Sequence, residues 1–350
     1  MVISISNSMK VAMYYNNKDV RIEQQQIPEI SDDEILVKVM ASGICGSDVM
    51  EWYRIKKAPL VLGHEIAGIV EKTGKNVNKF KPKDRVFVTH HVPCNTCRYC
   101  LQGEHTICET LHSTKFYPGG FAEYLRTPAI NVDRGTFLLP DNVSFDEGTF
   151  VEPLACVVRG FHKADFKPAK SVLVLGSGIA GLLHIKLAKA YGATKIFATD
   201  LSKYRLELAK KSGADHVFHA TEDIEKRVRN HNDGRLADIV VLTAGVPAAV
   251  KQAFSCVEDG GTVLLFAPTT PGEKIPLDFF ELWNKQIHVT STYAGAGRDI
   301  MESIDLLSSK TITVTDLISH KLPLTEAKKG FSLVAEADES MKVILLPHEK

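Results

Sequence analysis

Residues 171–181, SVLVLGSGIAG, decide the fold of the C-terminal half of the chain. The first five residues form an apolar run typical of a buried parallel strand, and the glycines then open an apolar-faced helix predicted over residues 179–191. A second strand at residues 195–199 completes a strand–helix–strand unit, and further units predict a doubly wound domain over residues 153–290. Its other predicted strands are residues 215–218, 239–243, 262–266 and 287–291, and its other helices are residues 205–212 and 250–256.

The glycine spacing in this stretch predicts a dinucleotide site. The first glycine permits a tight turn, the second lets the backbone approach a pyrophosphate, and the third lets the helix pack on the strand. The pyrophosphate then lies at the positive N-terminus of the helix. A turn without any ligand is disfavoured, because the strand, the helix and a following acidic residue are all in place. The predicted phosphate-binding residues are Gly176, Gly178, Ile179, Ala180 and Gly181.

Asp200 indicates which dinucleotide is bound. It ends the second strand, 24 residues after Gly176, where a carboxylate accepts hydrogen bonds from the ribose hydroxyls and repels a 2′-phosphate. This favours NAD over NADP, although the nearby Arg205 weakens the exclusion of NADP. Thr243, at the end of a later predicted strand, completes the predicted cofactor-binding residues.

The N-terminal part of the chain has a different character. Residues 11–147 are mostly short strands and loops punctuated by Gly, Pro, Asn and Asp, and a helix is predicted over residues 145–163. We therefore expect a β-rich domain over residues 1–152 and an α/β fold for the whole chain. Residues 291–350 contain a predicted helix at residues 298–309 and then short strands, which either close the nucleotide domain or return to the first domain.

Length and charge exclude several classes of protein. A chain of 350 residues predicts two domains. With 42 basic and 42 acidic residues the formal net charge is zero, so nothing favours nucleic acid or a membrane surface as a partner. Residues 1–10 lack the apolar run of a signal peptide, and no segment approaches the length of a membrane helix. We expect a cytoplasmic protein.

Four of the seven cysteines are clustered with the spacing Cys94-x2-Cys97-x2-Cys100-x7-Cys108. An odd total in a soluble chain of this size argues against a disulfide framework, whereas four thiolates at this spacing close a tetrahedral shell around Zn²⁺ with no open position. We predict a structural zinc lobe over about residues 91–110. An iron–sulfur cluster is the alternative, and a DNA-binding zinc module is disfavoured because the flanking residues form no basic patch.

A second group of residues gains its meaning from a resemblance. Alone, a cysteine, a histidine or a glutamate has an ordinary structural interpretation. Together with the nucleotide turn and the cysteine lobe, however, the chain resembles zinc-dependent medium-chain alcohol dehydrogenases, and specifically their sorbitol (polyol) dehydrogenase branch, over about residues 9–346. The motifs that carry the resemblance are GICGSD at 43–48, GHEIAG at 63–68, DRV at 84–86, GFAEY at 120–124 and EPL at 152–154.

The resemblance implies a fold, a reaction and a ligand set. It implies a GroES-like catalytic domain formed by residues 1–152 and 291–350, with the Rossmann domain inserted. It implies two zinc ions per chain, the catalytic one held by Cys45 and His64, with Glu152 ligating it directly or through water and Glu65 as a temporary ligand. The implied reaction is hydride transfer from a secondary alcohol of a polyol, sugar or amino alcohol to NAD. Relatives are dimers or tetramers, so a homo-oligomer is expected.

The proton path is where the chain departs from its relatives. The resemblance places Asp48 behind His64 and Ser47 beside the reacting oxygen, but Met50 stands where many relatives have a proton-relaying histidine. His90 and His91 are the candidate replacements; at the end of a strand they are predicted to point to opposite faces. His91 occupies the place of a functional histidine in threonine dehydrogenases, and a solvated loop histidine is the alternative interpretation.

Two other functions remain open at this point. A threonine dehydrogenase-like activity is favoured by His91 and disfavoured by Glu152. The second is an NAD-binding protein that is stabilised by a structural zinc ion and has no catalytic activity, as among the lens crystallins of this superfamily. The intact set of candidate zinc ligands disfavours it. The absence of an arginine near Tyr293, where polyol enzymes of this type have one, argues against sorbitol itself as the substrate.

Overall fold

The computed structural model describes residues 8–349, which form two compact units. Within the described residues, the first unit comprises residues 8–155 and 295–349, and the second comprises Cys156–Ala294. These boundaries lie a few residues C-terminal to the predicted ones. Residues 1–7 and Lys350, which the sequence assigns to the catalytic domain, lie outside the described residues. The prediction that residues 1–10 are not a signal peptide therefore falls mostly on residues that are not described.

The structure contains strands and helices in the following order. The strands are β1 (Ser8–Asn16), β2 (Asp19–Gln26), β3 (Ile35–Gly43), β4 (Leu60–Val61), β5 (Glu65–Thr73), β6 (Arg85–Val88), β7 (Tyr124–Thr127), β8 (Thr136–Leu138), β9 (Ser171–Leu175), β10 (Lys195–Asp200), β11 (His216–His219), β12 (Ala237–Leu242), β13 (Val257–Leu265), β14 (His288–Ser291), β15 (Ile318–Pro323) and β16 (Lys342–Leu346). The helices are α1 (Glu51–Arg54), α2 (Arg98–Leu101), α3 (Glu109–Ser113), α4 (Ala129–Arg134), α5 (Phe145–Gly148), α6 (Val151–Lys163), α7 (Ile179–Ala190), α8 (Lys203–Ser212), α9 (Ile224–His231), α10 (Pro247–Ser255), α11 (Phe279–Asn284), α12 (Gly297–Ser308) and α13 (Ala327–Glu336).

The second unit is built on a six-stranded parallel sheet in the order β11-β10-β9-β12-β13-β14. All five residues of β9 are buried, as expected for a central strand covered on both faces. The order runs outward in both directions from β9, which confirms the predicted doubly wound domain. The glycine turn leaves the carboxyl end of β9, where ligands bind in open sheets of this kind.

The first unit contains a three-stranded sheet, β2-β1-β4, and a larger mixed sheet, β15-β16-β3-β5-β6-β8, with β7 also paired to β3. The C-terminal strand β16 pairs with β3 in antiparallel register, so the end of the chain is part of this sheet. Phe331 of α13 lies in the same core as Tyr14 of β1, with 5.6 Å between the ring centroids. The tail therefore contributes both a strand and core side chains to the first unit.

One predicted helix is divided in the structure, and helix α9 of the second unit lies where no element was predicted. The helix predicted over residues 145–163 is two helices, because α5 ends at Gly148 and α6 begins at Val151. Ser144 caps α5 by accepting a hydrogen bond from the Glu147 backbone at 3.2 Å. Helix α9 was not predicted, because its sequence IEKRVRNH is mostly polar and only Ile224 and Val228 are buried. Within residues 8–349, no helix is long and apolar enough to span a bilayer.

Candidate metal and cofactor sites

The four clustered cysteines converge in the loop that carries α2 and α3. Their sulfur atoms all lie within 4.8 Å of one another, and all four are free of disulfides. The Sγ–Sγ distance is 3.6 Å between Cys97 and Cys100, 3.6 Å between Cys94 and Cys108, and 4.0 Å between Cys94 and Cys100. Tetrahedral zinc with thiolate bonds of about 2.3 Å requires sulfur atoms about 3.8 Å apart. The cluster therefore fits a closed four-thiolate zinc site.

Hydrogen bonds to the sulfur atoms of Cys94 and Cys108 lower the pKa of these thiols and so favour the thiolate that a metal requires. The Cys97 backbone donates to Cys94 Sγ at 3.2 Å, and the Cys94 backbone donates to Cys108 Sγ at 3.4 Å. A hydrogen bond from the Thr96 side chain, together with backbone N–H groups, lowers the pKa of the Cys94 thiol to about 5. Arg134 of α4 donates to the Cys94 carbonyl at 2.7 Å, which attaches the lobe to the rest of the first unit.

Cys45, His64 and Glu65 form the second candidate metal group. One ligand atom of each lies within 4.8 Å of the others. Cys45 follows the end of β3 and caps a short 3-10 helix, Gly46–Asp48, whereas His64 immediately precedes β5. The pairing of Gly43 with Glu65 in neighbouring strands brings the two motifs together, although they are about 20 residues apart in the sequence.

Asp48 lies behind this group and is fully buried. Its Oδ2 accepts a hydrogen bond from the Cys45 backbone at 3.1 Å, and its Oδ1 lies 3.4 Å from His64 Nδ1. Burial lowers the pKa of His64, but the negative charges of Asp48 and Cys45 raise it well above 6.5. The same negative charges favour a cation in this group, and its cysteine, histidine and carboxylate ligands suit zinc. Asp48 occupies the predicted position, from which it orients the His64 ring.

Glu65 has a partner that the sequence analysis missed. Its carboxylate forms an ion pair with Lys342 of β16, and both side chains are only 1% exposed. The Lys342 ammonium also lies 5.4 Å from the centroid of the Phe150 ring. A Cβ atom at Gly43 would be 2.8 Å from Lys342 Cε, so a side chain there would require the Glu65 and Lys342 side chains to shift. The single lysine in the otherwise apolar run MKVILL, residues 341–346, was the signal in the sequence that a buried charge partner was required.

The remaining predicted residues of this site have different surroundings. Glu152 is half-buried in the first turn of α6 and is not among the three residues whose ligand atoms lie within 4.8 Å of one another. The Ser47 backbone donates to Cys45 Sγ at 3.4 Å, so Ser47 lies beside the candidate metal ligands. The Ser47 Oγ accepts a hydrogen bond from Arg54 at 3.0 Å, and Arg54 is a second neighbour that sequence reasoning missed.

The predicted opposite orientation of His90 and His91 is wrong. Their ring centroids are only 3.7 Å apart, and His90 lies 5.0 Å from the His64 ring. The alternation of a strand does not apply, because β6 ends at Val88 and both histidines lie beyond it. Burial lowers the pKa of His90 well below 6.5 and that of His91 to about 3, so both rings are neutral at pH 7.

The nucleotide turn has the geometry that its glycines require. Gly176 has a φ of +99°, which a side chain rarely adopts, and Thr243 Oγ1 donates to its carbonyl at 2.7 Å. No atom lies within 4 Å of a Cβ built at Gly178, so the backbone is open to a ligand there, whereas a Cβ at Gly181 would collide with the Gly176 carbonyl. Ile179 and Ala180 begin α7, and the first N–H groups of a helix lack partners inside it.

Asp200 lies at the carboxyl end of β10, beside this turn. Its carboxylate accepts hydrogen bonds from the Ser177 backbone at 2.7 Å and from the Ser202 backbone at 2.9 Å. These bonds fix its orientation and leave further lone pairs for other donors. Arg205 lies in the first turn of the next helix, α8, and its backbone donates to Ser202 Oγ at 3.4 Å.

The doubly wound second unit with this turn, and the first unit with its two candidate zinc groups, define the class of zinc-dependent dehydrogenases that use a nicotinamide dinucleotide. Residues 31–136 match the alcohol dehydrogenase GroES-like domain, and residues 180–309 match the zinc-binding dehydrogenase family. A sorbitol dehydrogenase of Bacillus subtilis (strain 168) is 31% identical, and the alignment covers 99% of this chain and 100% of the relative. The chain therefore belongs to the zinc-dependent medium-chain alcohol and polyol dehydrogenase family.

Two further comparisons agree with this assignment. D-xylulose reductase A of Aspergillus oryzae is 31% identical over 93% of each chain. The structure of a zinc-binding dehydrogenase of Sinorhizobium meliloti 1021, solved with NADP, superposes with a TM-score of 0.87 at 27% identity, covering 98% of this chain and 100% of that one. The family, the GroES-like and Rossmann fold and the class of enzyme predicted from the sequence are confirmed, and an iron–sulfur protein or a DNA-binding module is not supported.

Proposed function

We propose that this enzyme oxidises a secondary alcohol of a polyol or sugar and transfers the hydride to NAD. The observation that carries the proposal is the convergence of Cys45, His64 and Glu65, with Asp48 behind the histidine. The sorbitol dehydrogenase and D-xylulose reductase relatives support a polyol or ketose as the substrate class. Any such substrate is a small molecule with a hydroxyl group.

Each residue of the candidate active site has a distinct proposed role. Cys45 and His64 hold the catalytic zinc, Glu152 is its third ligand directly or through water, and Glu65 is a temporary ligand. When bound, the zinc supplies a Lewis acid that lowers the pKa of the substrate hydroxyl. Ser47 lies beside the metal ligands, where it accepts the substrate hydroxyl proton while its own proton passes outward toward the cofactor ribose. The second zinc, at Cys94, Cys97, Cys100 and Cys108, stabilises the lobe and takes no part in the chemistry, which makes two zinc ions per chain.

His91 is proposed to orient the substrate. Because burial keeps its ring neutral at pH 7, it offers one donor and one acceptor nitrogen. This assigns it hydrogen bonding to substrate hydroxyls or to an amino group. The neutral ring can accept a hydrogen bond from an amino group, and this keeps L-threonine as an alternative substrate.

The cofactor is proposed to be NAD, bound by the glycine turn and Asp200. The open backbone at Gly178 and the N-terminus of α7 receive the pyrophosphate. The Asp200 carboxylate, held by two backbone N–H groups, would repel a 2′-phosphate. One structural relative was solved with NADP, so membership of the family does not decide between NAD and NADP. The proposed preference for NAD rests on Asp200 of this chain.

A substrate panel tests this function. The zinc-loaded protein is mixed with polyols, sugars and L-threonine, each with NAD and separately with NADP, and reduction of the nicotinamide is followed by absorbance. We expect turnover with a polyol or sugar, a preference for NAD, and two zinc ions per chain by metal analysis. A preference for L-threonine would select the alternative. No turnover with any alcohol, or one zinc ion per chain, would contradict the proposal.

A homodimer or homotetramer is proposed from the surface of the second unit. Strand β14 is the edge of the parallel sheet, and exposed edges offer unpaired backbone groups to another strand. Near it in the sequence, α11 exposes Phe279, Phe280 and Trp283, which are 81%, 63% and 69% exposed. A second copy of the chain covers such a face most simply, because identical edges pair about a two-fold axis.

Light scattering of the purified protein tests the oligomer. We expect the mass of two or four chains, and we expect Trp283→Asp to reduce it. Leu138→Asp, an exposed apolar position of the first unit, is the matched control and is expected to leave the mass unchanged. A monomeric parent protein would refute the proposal.

We also place the protein in the cytoplasm, because clustered free thiols need a reducing compartment. Fractionation of the source cells tests this.

A further inference from the structure

Arg54 connects two residues that flank the candidate metal ligands. Its Nε donates to the Ser47 carbonyl at 2.9 Å, and its Nη2 donates to the Ser47 hydroxyl at 3.0 Å. The same Nη2 lies 3.5 Å from Asp48 Oδ1. The Arg54 side chain is only 15% exposed, so these contacts lie largely out of the solvent.

We propose that Arg54 is a positioning residue that holds the Ser47 oxygen beside the substrate hydroxyl and keeps the single Ser47 proton turned away from the guanidinium. The proposal rests on the proposed alcohol oxidation, because it assigns Ser47 as the hydrogen-bond partner of the reacting hydroxyl. It assigns Arg54 no direct contact with the substrate.

The direction of the Ser47 proton follows from the chemistry of its partner. A guanidinium is always protonated and has no acceptor atom, so Arg54 cannot receive the hydroxyl proton. The Ser47 oxygen is therefore the acceptor in this contact, and its single O–H must point elsewhere. Because the Ser47 backbone already donates to Cys45 Sγ, the residue is held beside the metal ligands, and its second lone pair and its O–H are not used by Arg54.

Arg54 does not take the place of the missing relay histidine. Met50 cannot carry a proton, and Arg54 cannot accept one. Arg54 instead supplies a fixed orientation and a positive charge behind Ser47 and Asp48. A lysine cannot reproduce this, because one ammonium does not match the fork of donors that reaches a carbonyl, a hydroxyl and a carboxylate together.

A double-mutant cycle between Arg54 and Ser47 tests the proposal. The measured quantities are kcat on the best alcohol and, independently of turnover, the affinity of azide for the Co²⁺-substituted protein, read from its visible spectrum. Azide occupies an open metal position and accepts a hydrogen bond. We expect Arg54→Ala and Ser47→Ala each to lower kcat and to weaken azide binding by about tenfold or more, the worth of a hydrogen bond to a charged group.

The cycle separates positioning from independent effects. If Arg54 acts through Ser47, the double variant is no worse than Ser47→Ala alone. Added guanidinium at non-denaturing concentration should partly restore Arg54→Ala, whereas ammonium should not. The matched control is Lys57→Ala, whose ammonium lies over the same Tyr53 ring as Arg54 and which should keep the parental values.

Several results would overturn the proposal. They are additive effects of the two substitutions, parental kcat and azide affinity in Arg54→Ala, or loss of bound metal in that variant without recovery by guanidinium. If the parent protein oxidises no alcohol, the proposed function fails, but the azide cycle still decides whether Arg54 acts through Ser47.

Discussion

Cys45→Ala is expected to abolish alcohol oxidation while NAD binding persists. The substitution removes a thiolate from the group formed with His64 and Glu65, and a zinc site that loses one of its few protein ligands binds the ion far more weakly. Without the Lewis acid, a neutral alcohol is a poor hydride donor. The residues proposed to bind NAD belong to the second unit, and Cys45 belongs to the first.

Metal analysis, a turnover assay and calorimetric titration with NAD measure this outcome. Zinc should fall from two ions per chain to one, because the four-cysteine cluster is intact, and the affinity for NAD should stay within about twofold, well under 1 kcal/mol. Cys256→Ala, a buried cysteine of the second unit outside both metal groups, is the matched control and should keep both ions and full turnover. Full activity in Cys45→Ala with a single zinc ion would refute the proposed mechanism.

Lys342→Met is expected to lower the free energy of unfolding by about 3–5 kcal/mol, because it leaves the Glu65 carboxylate buried without its partner. Methionine has a length similar to that of lysine, so the loss is mainly of charge rather than of volume. The stability loss is expected in the metal-free protein. In the zinc-loaded variant the freed carboxylate would compete for the ion, so turnover should also fall.

Denaturant unfolding of the variants separates charge from packing. The double variant Lys342→Met with Glu65→Gln should recover part of the lost free energy, because no buried charge then lacks a partner. Lys329→Met, which removes an exposed partner of Glu326 in α13, is the control and should change stability by less than about 1 kcal/mol. If Lys342→Met is as stable as the parent, the pair contributes nothing to the first unit.

Local patterns account for what sequence analysis predicted well. Three of the lobe cysteines lie within seven residues and the fourth is eight residues further on, so spacing alone restricts them to one cluster. The glycine turn follows a strand and opens a helix within eleven residues, and its geometry depends on the absence of side chains at Gly176, Gly178 and Gly181. Cys45 and His64 were found through a resemblance, since neither residue type nor spacing assigns them alone.

The sequence by itself thus determined the doubly wound domain, the dinucleotide turn and the cysteine lobe, because each depends on neighbours along the chain. Only the tertiary structure showed the close approach of the two histidine rings beyond β6, the hydrogen bond from Arg54 to Ser47, and the pairing of Glu65 with Lys342, 277 residues away. The physical reason is that a side chain's charge partner and direction depend on which strands pair. The return of β16 to β3 brings a lysine to the metal ligands, and no local pattern encodes that pairing.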